Sequence, residues 1–408
     1  MRDARLKHPD QHLVTFKSDI AGAFLTLPAH PIWQPRQVVR VDDIMRLVRC
    51  QILGCRGSPK LWCAFSGLLC WVATKKLEND GLHVYMDDFF GWDFATNLVR
   101  YYGKRRPIKQ VYMIILWERL GVPLDDAKKD HGEMLKIICF WTAVNDGTIS
   151  ITSEPINHLL EHIDSFISTT SRRQTLISWQ RLLGYLKWSL NVFPWGRPAL
   201  SALYNKISGK KVGDADIYLN VDVRESLSWF TTTLPKAIGI SFVDDGHWSN
   251  HEADMVYWTD ASFDGISFTF AGHGFAYPLS QRNTSSSKID IFFLEMMGIL
   301  SALYHAATLP SPPKRVLIHT DSMDSVQAFD RLRTSQASHT SILLAVADII
   351  TKTGIDLRVV HIAGKLNIAA DLLSRLLIEE FLRLFPSYRV RMFEPPRQLL
   401  PARWRSLF

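Results

Sequence analysis

The chain has 408 residues, too many for one ordinary hydrophobic core, so two or three domains are expected. Hydrophobic residues make up 47% and charged residues 21%, which excludes a disordered chain. The formal charge is 47 − 40 = +7, a basic balance that favours polyanionic partners. No apolar run reaches the ~18 residues that a membrane helix needs, and Met1 to Asp10 are polar without a secretory pattern. The five cysteines, Cys50, Cys55, Cys63, Cys70 and Cys139, form no C-x-x-C pair and no His/Cys zinc spacing. A reduced intracellular compartment, cytoplasm or nucleus, is therefore expected, with no membrane partner.

In chain order, residues 12–19 alternate as a strand ending at Asp19. From Pro59 to residue 79, Leu61, Phe65, Leu68, Leu69, Val72 and Leu77 recur at helical spacing, with Ser58 as N-cap and Pro59 in the first turn. Gly81 is expected to close that helix, and a strand–turn–strand follows around Asp87-Asp88. A second helix covers 107–120 and stops at Gly121. Strand, helix, hairpin, helix, strand fits a split βαβ sheet with helices on one face. Residues 150–240 read as mostly helical, with amphipathic stretches from Leu176 to Leu190 and from Leu200 to Ile207. The polar segment Val243 to Asn250 reads as a linker. Strands then follow at Met255–Thr259 and within Ile266–Ala276, a helix at Ile289–Ala307 and a strand at Val316–Thr320. A helix at Ser338–Thr353 and a strand at Leu357–Ile362 complete an α/β pattern. The last 23 residues, from Pro386, are rich in Arg and Pro and are expected to form a tail.

Two acidic constellations carry the chemistry. Asp19 at a strand end and Asp87-Asp88 at a turn converge if their strands are neighbours. Such carboxylates are the hard oxygen donors that two divalent metals require for nucleotidyl transfer. A lone Asp-Asp is more often a solvated turn, so the surrounding residues decide. Asp19-Ile20-Ala21-Gly22-Ala23-Phe24, Gly54-Cys55-Arg56-Gly57-Ser58-Pro59 and Tyr85-Met86-Asp87-Asp88 stand in order, with Asp87 following Asp19 by 87 − 19 = 68 positions. Over residues 12–150 the chain resembles reverse transcriptases. The resemblance implies that Asp19, Asp87 and Asp88 are catalytic metal ligands and that Phe24 is the steric gate for deoxynucleotides. It implies that Gly57, Ser58 and Pro59 position template and incoming nucleotide beside Tyr85 and Met86. Leu120-Gly121-Val122-Pro123-Leu124 with Lys128-Lys129 resembles the fourth motif, which places Lys128 near the triphosphate. The fifth motif departs, with Ile138-Cys139-Phe140-Trp141 where a glycine is usual. The family's basic fingers region precedes the first motif, and only 18 residues precede Asp19 here, so either an N-terminally truncated element or gene model is expected, or another polypeptide supplies the missing part.

The second constellation is Asp260, Glu295, Asp321 and Asp371. Asp260 and Asp321 end strands, which directs both toward one crevice. Glu295 lies on an apolar helix, where an unpaired carboxylate is costly. Singly, each acid reads as an ordinary surface group. In this order they resemble the ribonuclease H fold of retroelements over residues 253–378. By that resemblance all four bind two Mg²⁺, with Mn²⁺ as a substitute, and hydrolyse RNA in an RNA–DNA hybrid. Leu182-Leu183-Gly184-Tyr185-Leu186-Lys187-Trp188 and Asn367…Asp371…Arg375 are similar to DIRS-type or gypsy-type elements. Basic runs at Lys104-Arg105-Arg106, Arg172-Arg173, Lys210-Lys211 and in the tail are candidate phosphate contacts, although most charge runs are solvated faces.

The expected architecture is α+β and α/β multidomain: a reverse-transcriptase palm over 1–150, a helical thumb or connection over 151–242, a linker over 243–252, a ribonuclease H-like α/β domain over 253–385 and a basic tail over 386–408. The expected partners are RNA template, DNA primer, RNA–DNA hybrid and deoxynucleoside triphosphates. The alternatives are a hybrid-specific ribonuclease whose palm does not polymerise and a nonenzymatic nucleic-acid-binding remnant.

Overall fold

The computed structural model describes residues 1–237, 239–241, 248–279 and 290–405. The chain is mixed α/β and divides into two compact units, Met1–Thr152 with Gly239–Gly246, and Ser153–Ile238 with His247–Phe408. Residues 243–247 of the expected linker lie outside the described residues. Among the described residues no helix is long and apolar enough to cross a membrane.

In the first unit, β1 (Leu13–Asp19), α1 (Ser58–Lys76), β2 (His83–Tyr85), β3 (Asp88–Phe94), α2 (Ile108–Leu120) and β4 (Asp130–Gly132) follow in order. The sheet runs β2-β3-β1-β4 and every pairing in it is antiparallel. Phe16, Phe89, Trp62 and Trp117 are buried together between the sheet and the two helices. Leu-, Phe- and Trp-sized side chains in such a core stabilise by about 1.5–3 kcal/mol each. Helix α2 stops where the sequence says, because Gly121 takes φ of 71° and caps it in the left-handed region.

Helix α1 departs from expectation at both ends. Gly57 is its N-cap, not Ser58, because the Ser58 hydroxyl turns away to donate to Gln51 Oε1 at 3.2 Å. It closes at Leu77 rather than Gly81. Gly81 serves the following turn, with φ of 86° and Trp92 Nε1 only 2.2 Å from where a Cβ would stand. A second sheet contains β5 (Met134–Ile137), β6 (Phe140–Ala143) and β7 (Thr148–Ile151). The β5–β6 turn is Ile138-Cys139, at φ of 48° and 67°. Two positive values are what a type I′ hairpin demands, and neither residue is one that adopts them readily. At Ile138-Cys139, where the sequence resemblance leads one to expect a glycine nearby, the backbone takes a glycine-like shape without the glycine.

The second unit opens with α3 (Ser153–Ile167), α4 (Leu176–Ser189), α5 (Leu200–Ile207) and α6 (Val221–Thr233) around Trp179, Leu182, Leu186, Leu203 and Phe230. Thr175 and Asn220 cap α4 and α6 through their side-chain oxygens. After these come β8 (Met255–Ala261), β9 (Gly265–Phe270), β10 (His273–Pro278), α7 (Ile291–Ala307), β11 (Arg315–Thr320), α8 (Met323–Arg331), α9 (Ala337–Thr353), β12 (Asp356–His361), α10 (Ile368–Ser374) and β13 (Arg389–Met392). The six strands form one sheet in the order β12-β11-β8-β9-β10-β13. Strands β8, β11 and β12 are mutually parallel, while β8–β9 and β9–β10 are antiparallel hairpins. Helix α7 buries Phe293, Met296, Leu300 and Leu303 with Ile342 and Val346 of α9. Truncating one of these, Leu300→Ala, costs about 2–5 kcal/mol.

The tail expectation is corrected. Residues Arg389–Met392 pair in parallel with β10, and Arg403 forms ion pairs with Asp222 at 2.7 Å and with Glu225. Alternating arginines read as a charged tail in sequence, whereas here their backbone completes a sheet edge.

Candidate active sites

Antiparallel pairing of β1 with β3 puts Asp19 directly across from Asp88. The expected convergence of these two strands is therefore present. Tyr85 pairs with Asp88 around the two-residue turn Met86-Asp87. Met86 has φ of 57° and Asp87 does not share it, the pattern of a II′ turn. A methionine in that region is uncommon, and neighbours hold it there. Trp62 Nε1 of α1 donates to the Met86 carbonyl at 2.9 Å, and the Ile20 N–H donates to the Asp87 carbonyl at 3.2 Å.

Burial raises the carboxyls of Asp87 and Asp88 above their usual range, and the charge of Asp19 raises them further. Lys128 Nζ donates to Asp19 Oδ2, and that contact raises the ammonium in turn. Phe24 sits in the short turn Ala23–Thr26, edge-on to Trp62 with centroids 6.3 Å apart. Gly57 and Pro59 flank the buried Ser58 at the start of α1, and Tyr85 is exposed. Among the described residues, however, only one group of three acids, cysteines or histidines brings ligand atoms within 4.8 Å of one another, and Asp19, Asp87 and Asp88 are not that group.

The group that does so is Asp260, Glu295 and Asp321. Thr259 pairs with Thr320 across β8 and β11, so the next residue on each strand, Asp260 and Asp321, is delivered to the same edge. Glu295 comes from the first turns of α7, which Asp290 caps by accepting from the Phe293 N–H at 2.8 Å. Gly298 on α7 packs against Thr259, with 3.6 Å from a notional Cβ to the threonine Cβ, so the helix rests close on the strand. Gly364 has Asp321 Oδ2 3.0 Å from where its Cβ would lie, so the loop after β12 closes over that carboxylate.

Asp260 is 5% exposed and Glu295 8% exposed. Burial first, then the neighbouring charges of Asp260 and Asp321, pushes the Glu295 carboxyl up to about 9. Burial likewise pushes Asp260 up to about 7, against the lowering effect of the Ser374 hydroxyl that donates to Asp260 Oδ2. Glu295 Oε2 has no hydrogen-bond partner although it is buried. A buried, orphaned carboxylate oxygen beside two further carboxylates is strongly unfavourable unless a cation or protons compensate it. Three hard oxygen donors in this arrangement fit a divalent cation such as Mg²⁺ or Mn²⁺.

Asp371 is not part of the close group. Arg375, four residues on along α10, donates to Asp371 Oδ1 at 2.8 Å. Two supporting residues come from the stretch around Asp371. Ser374 holds Asp260, and buried Asn367 donates to the Thr259 carbonyl at 2.9 Å. Their signal was that both stand on the same short helical run as Asp371. His361 ends β12 opposite Thr320. Asp264 lies in a loop and Asp324 in the first turn of α8.

The fold and site together define a mixed α/β chain with a carboxylate triad, two acids near the ends of adjacent parallel strands and the third on the helix packed against them. No family model matches the chain, and no curated protein matches it. Among solved structures it is similar to the foamy viral protease-reverse transcriptase dRH in complex with double-stranded DNA, at 15% identity and a TM-score of 0.43, over 86% of this chain and 57% of that one. The same viral protease-reverse transcriptase in complex with an RNA/DNA hybrid is similar at 16% identity and a TM-score of 0.39, over 85% of this chain and 44% of that one. Its complex with double-stranded DNA is similar at 16% identity and a TM-score of 0.40, over 86% of this chain and 67% of that one.

Proposed function

We propose that the chain is a retroelement-derived RNA-directed DNA polymerase with ribonuclease H activity, and that its nuclease half hydrolyses the RNA strand of RNA–DNA hybrids. The observation that carries the reading is the buried triad Asp260, Glu295 and Asp321, with Glu295 Oε2 left without a partner. Those three residues would hold Mg²⁺. When bound, the metal supplies activation of water and stabilisation of the leaving 3′-oxygen.

The protein's own part is positioning. Ser374 fixes one oxygen of Asp260, the start of α7 carries Glu295, and the Gly364 loop lies close against Asp321. Rigid strands and a capped helix hold the three with little conformational freedom to lose. Asp371, tethered to Arg375, would complete the set. The polymerase half rests on Asp19 facing Asp88 across paired strands and on the motif order that resembles reverse transcriptases.

A second reading, a hybrid ribonuclease whose palm does not polymerise, is favoured by one observation. Lys128 occupies Asp19, and the three palm carboxylates do not gather as the triad does. The separating experiment is primer extension on an RNA template with Mg²⁺, run beside cleavage of a labelled hybrid. The proposal expects both activities, extension lost in Asp87→Asn, Asp88→Asn and cleavage lost in Asp321→Asn. Cleavage without extension selects the second reading. Neither activity in a folded protein contradicts both.

A further inference from the structure

A cleft of about 800 Å³ in the second unit is lined by Lys187 of α4, Arg197 of the turn before α5, and Arg331 and Arg333 at the end of α8. No Asp or Glu lines it, and its neutral polar groups include Asn191 and Asn205. All four cations are exposed. Among the described residues none of the four forms an ion pair or donates a side-chain hydrogen bond.

Arg403, Arg375, Arg397 and Arg383 of the same unit each find a carboxylate, whereas the four cations here share a cleft that no carboxylate lines. Four unpaired cations from three separate elements repel one another, and converge at some cost unless an anion is shared. The backbone adds a second sign. Leu332, between Arg331 and Arg333, is in the left-handed region at φ of 50° and is only 8% exposed. A bulky residue there is an outlier, and such strain persists where the surrounding structure enforces it, often at binding sites. The helix end at Arg331 benefits from positive charge through the helix dipole, but that accounts for one of the four side chains and for neither Lys187 nor Arg197.

We propose that this cleft is a phosphodiester-binding track, taking several consecutive backbone phosphates of a nucleic-acid strand. The size suits a backbone rather than a single small anion. The asparagines supply neutral donors to sugar and phosphate oxygens, and no feature of the lining distinguishes one base from another, so contact is expected to be independent of sequence. The inference deepens the proposed function, since the strand concerned would belong to the hybrid presented to the triad in the same unit, and it rests on that reading.

The test is fluorescence anisotropy of the full chain with a 5′-labelled RNA–DNA hybrid in EDTA, so that binding is read without cleavage. The combined variant Lys187→Gln, Arg197→Gln, Arg331→Gln, Arg333→Gln is expected to bind at least tenfold more weakly near 100 mM salt. Its slope of log affinity against log salt should fall by about 3.6, since each of four phosphate contacts contributes about 0.9. Arg331→Lys, Arg333→Lys, which keeps the charge, should bind close to wild type. An unchanged affinity and slope in the glutamine variant, with an unaltered melting temperature, would overturn the track. Failure of the wild-type chain both to bind and to cleave the hybrid would instead overturn the reading of function on which the track rests.

Discussion

Replacing Glu295 by glutamine should make the metal-free protein more stable, although it should destroy the nuclease. The carboxyl is raised from 4.5 to about 9, chiefly by burial and then by Asp260 and Asp321. For an acid raised in the folded state, the stabilising contribution is complete below the unfolded value and is lost as pH climbs through the folded one. Between pH 4.5 and 7.5 lie three pH units, at about 1.4 kcal/mol each, which sets a ceiling of about 4 kcal/mol. Relaxation and water entry around three coupled carboxylates reduce this, and about 2 kcal/mol is the working figure. For a unit of this size that corresponds to a melting shift of about 4–8 °C. The assay is thermal unfolding in EDTA at pH 5 and pH 7.5. Wild type should lose stability between the two, and Glu295→Gln should lose much less. Adding Mg²⁺ at 100 times its dissociation constant should stabilise wild type by about 2.7 kcal/mol and the variant far less. A variant less stable than wild type at pH 7.5 in EDTA would show that Glu295 is compensated in a way the triad argument does not contain.

Four further outcomes follow from single positions. Ile138→Asn with Cys139→Gly should raise the first unit's melting temperature, by relief of about 1 kcal/mol per left-handed residue; an unchanged value would mean the turn is not strained. Gly364→Ala should displace Asp321, whose Oδ2 lies 3.0 Å from the added carbon, and raise the Mg²⁺ needed for half-maximal cleavage; titration of cleavage against Mg²⁺ reads it. Asp371→Asn should reduce cleavage by about 10–100-fold, the range for residues that support a metal site, and less than Asp260→Asn does, because Asp371 lies outside the close group. Lys128→Ala should raise the nucleotide concentration for half-maximal primer extension, because the lysine that contacts Asp19 is the one the motif resemblance sets near the triphosphate; an unchanged concentration would leave Lys128 only its contact with Asp19.

Much of this was legible in sequence because local pattern and local structure agree. The alternation that ends at Asp19, the glycine stop at residue 121 and the strands that close within a residue or two of Asp260 and Asp321 are where period and cap residues put them. The acids of the triad could be found only as an ordered set, since each one alone reads as an ordinary surface group, and their positions near strand ends and in the first turns of a helix gave the set its pattern. What sequence did not reveal depends on distant pairing. Strand Arg389–Met392 exists only because β10 accepts it. Ser58 fails as a cap because Gln51 takes its hydroxyl. The separation of Asp371 from the other three acids follows from its contact with Arg375 one helical turn away. The four cations of the basic cleft come from three elements and form no run, so the conspicuous runs at Lys104-Arg105-Arg106 and in the tail drew attention instead. Arg106 is buried and donates to the Lys129 carbonyl at 3.1 Å, and Arg403 is ion-paired, so both are structural.

The most direct test of the central claim is cleavage of 5′-labelled RNA in an RNA–DNA hybrid with Mg²⁺, comparing wild type with Asp260→Asn. The account predicts Mg²⁺-dependent cleavage of the RNA strand alone by wild type, abolished by EDTA and reduced by at least three orders of magnitude in the variant. Equal cleavage by both proteins, or none by a folded wild type across Mg²⁺ and Mn²⁺, would contradict it.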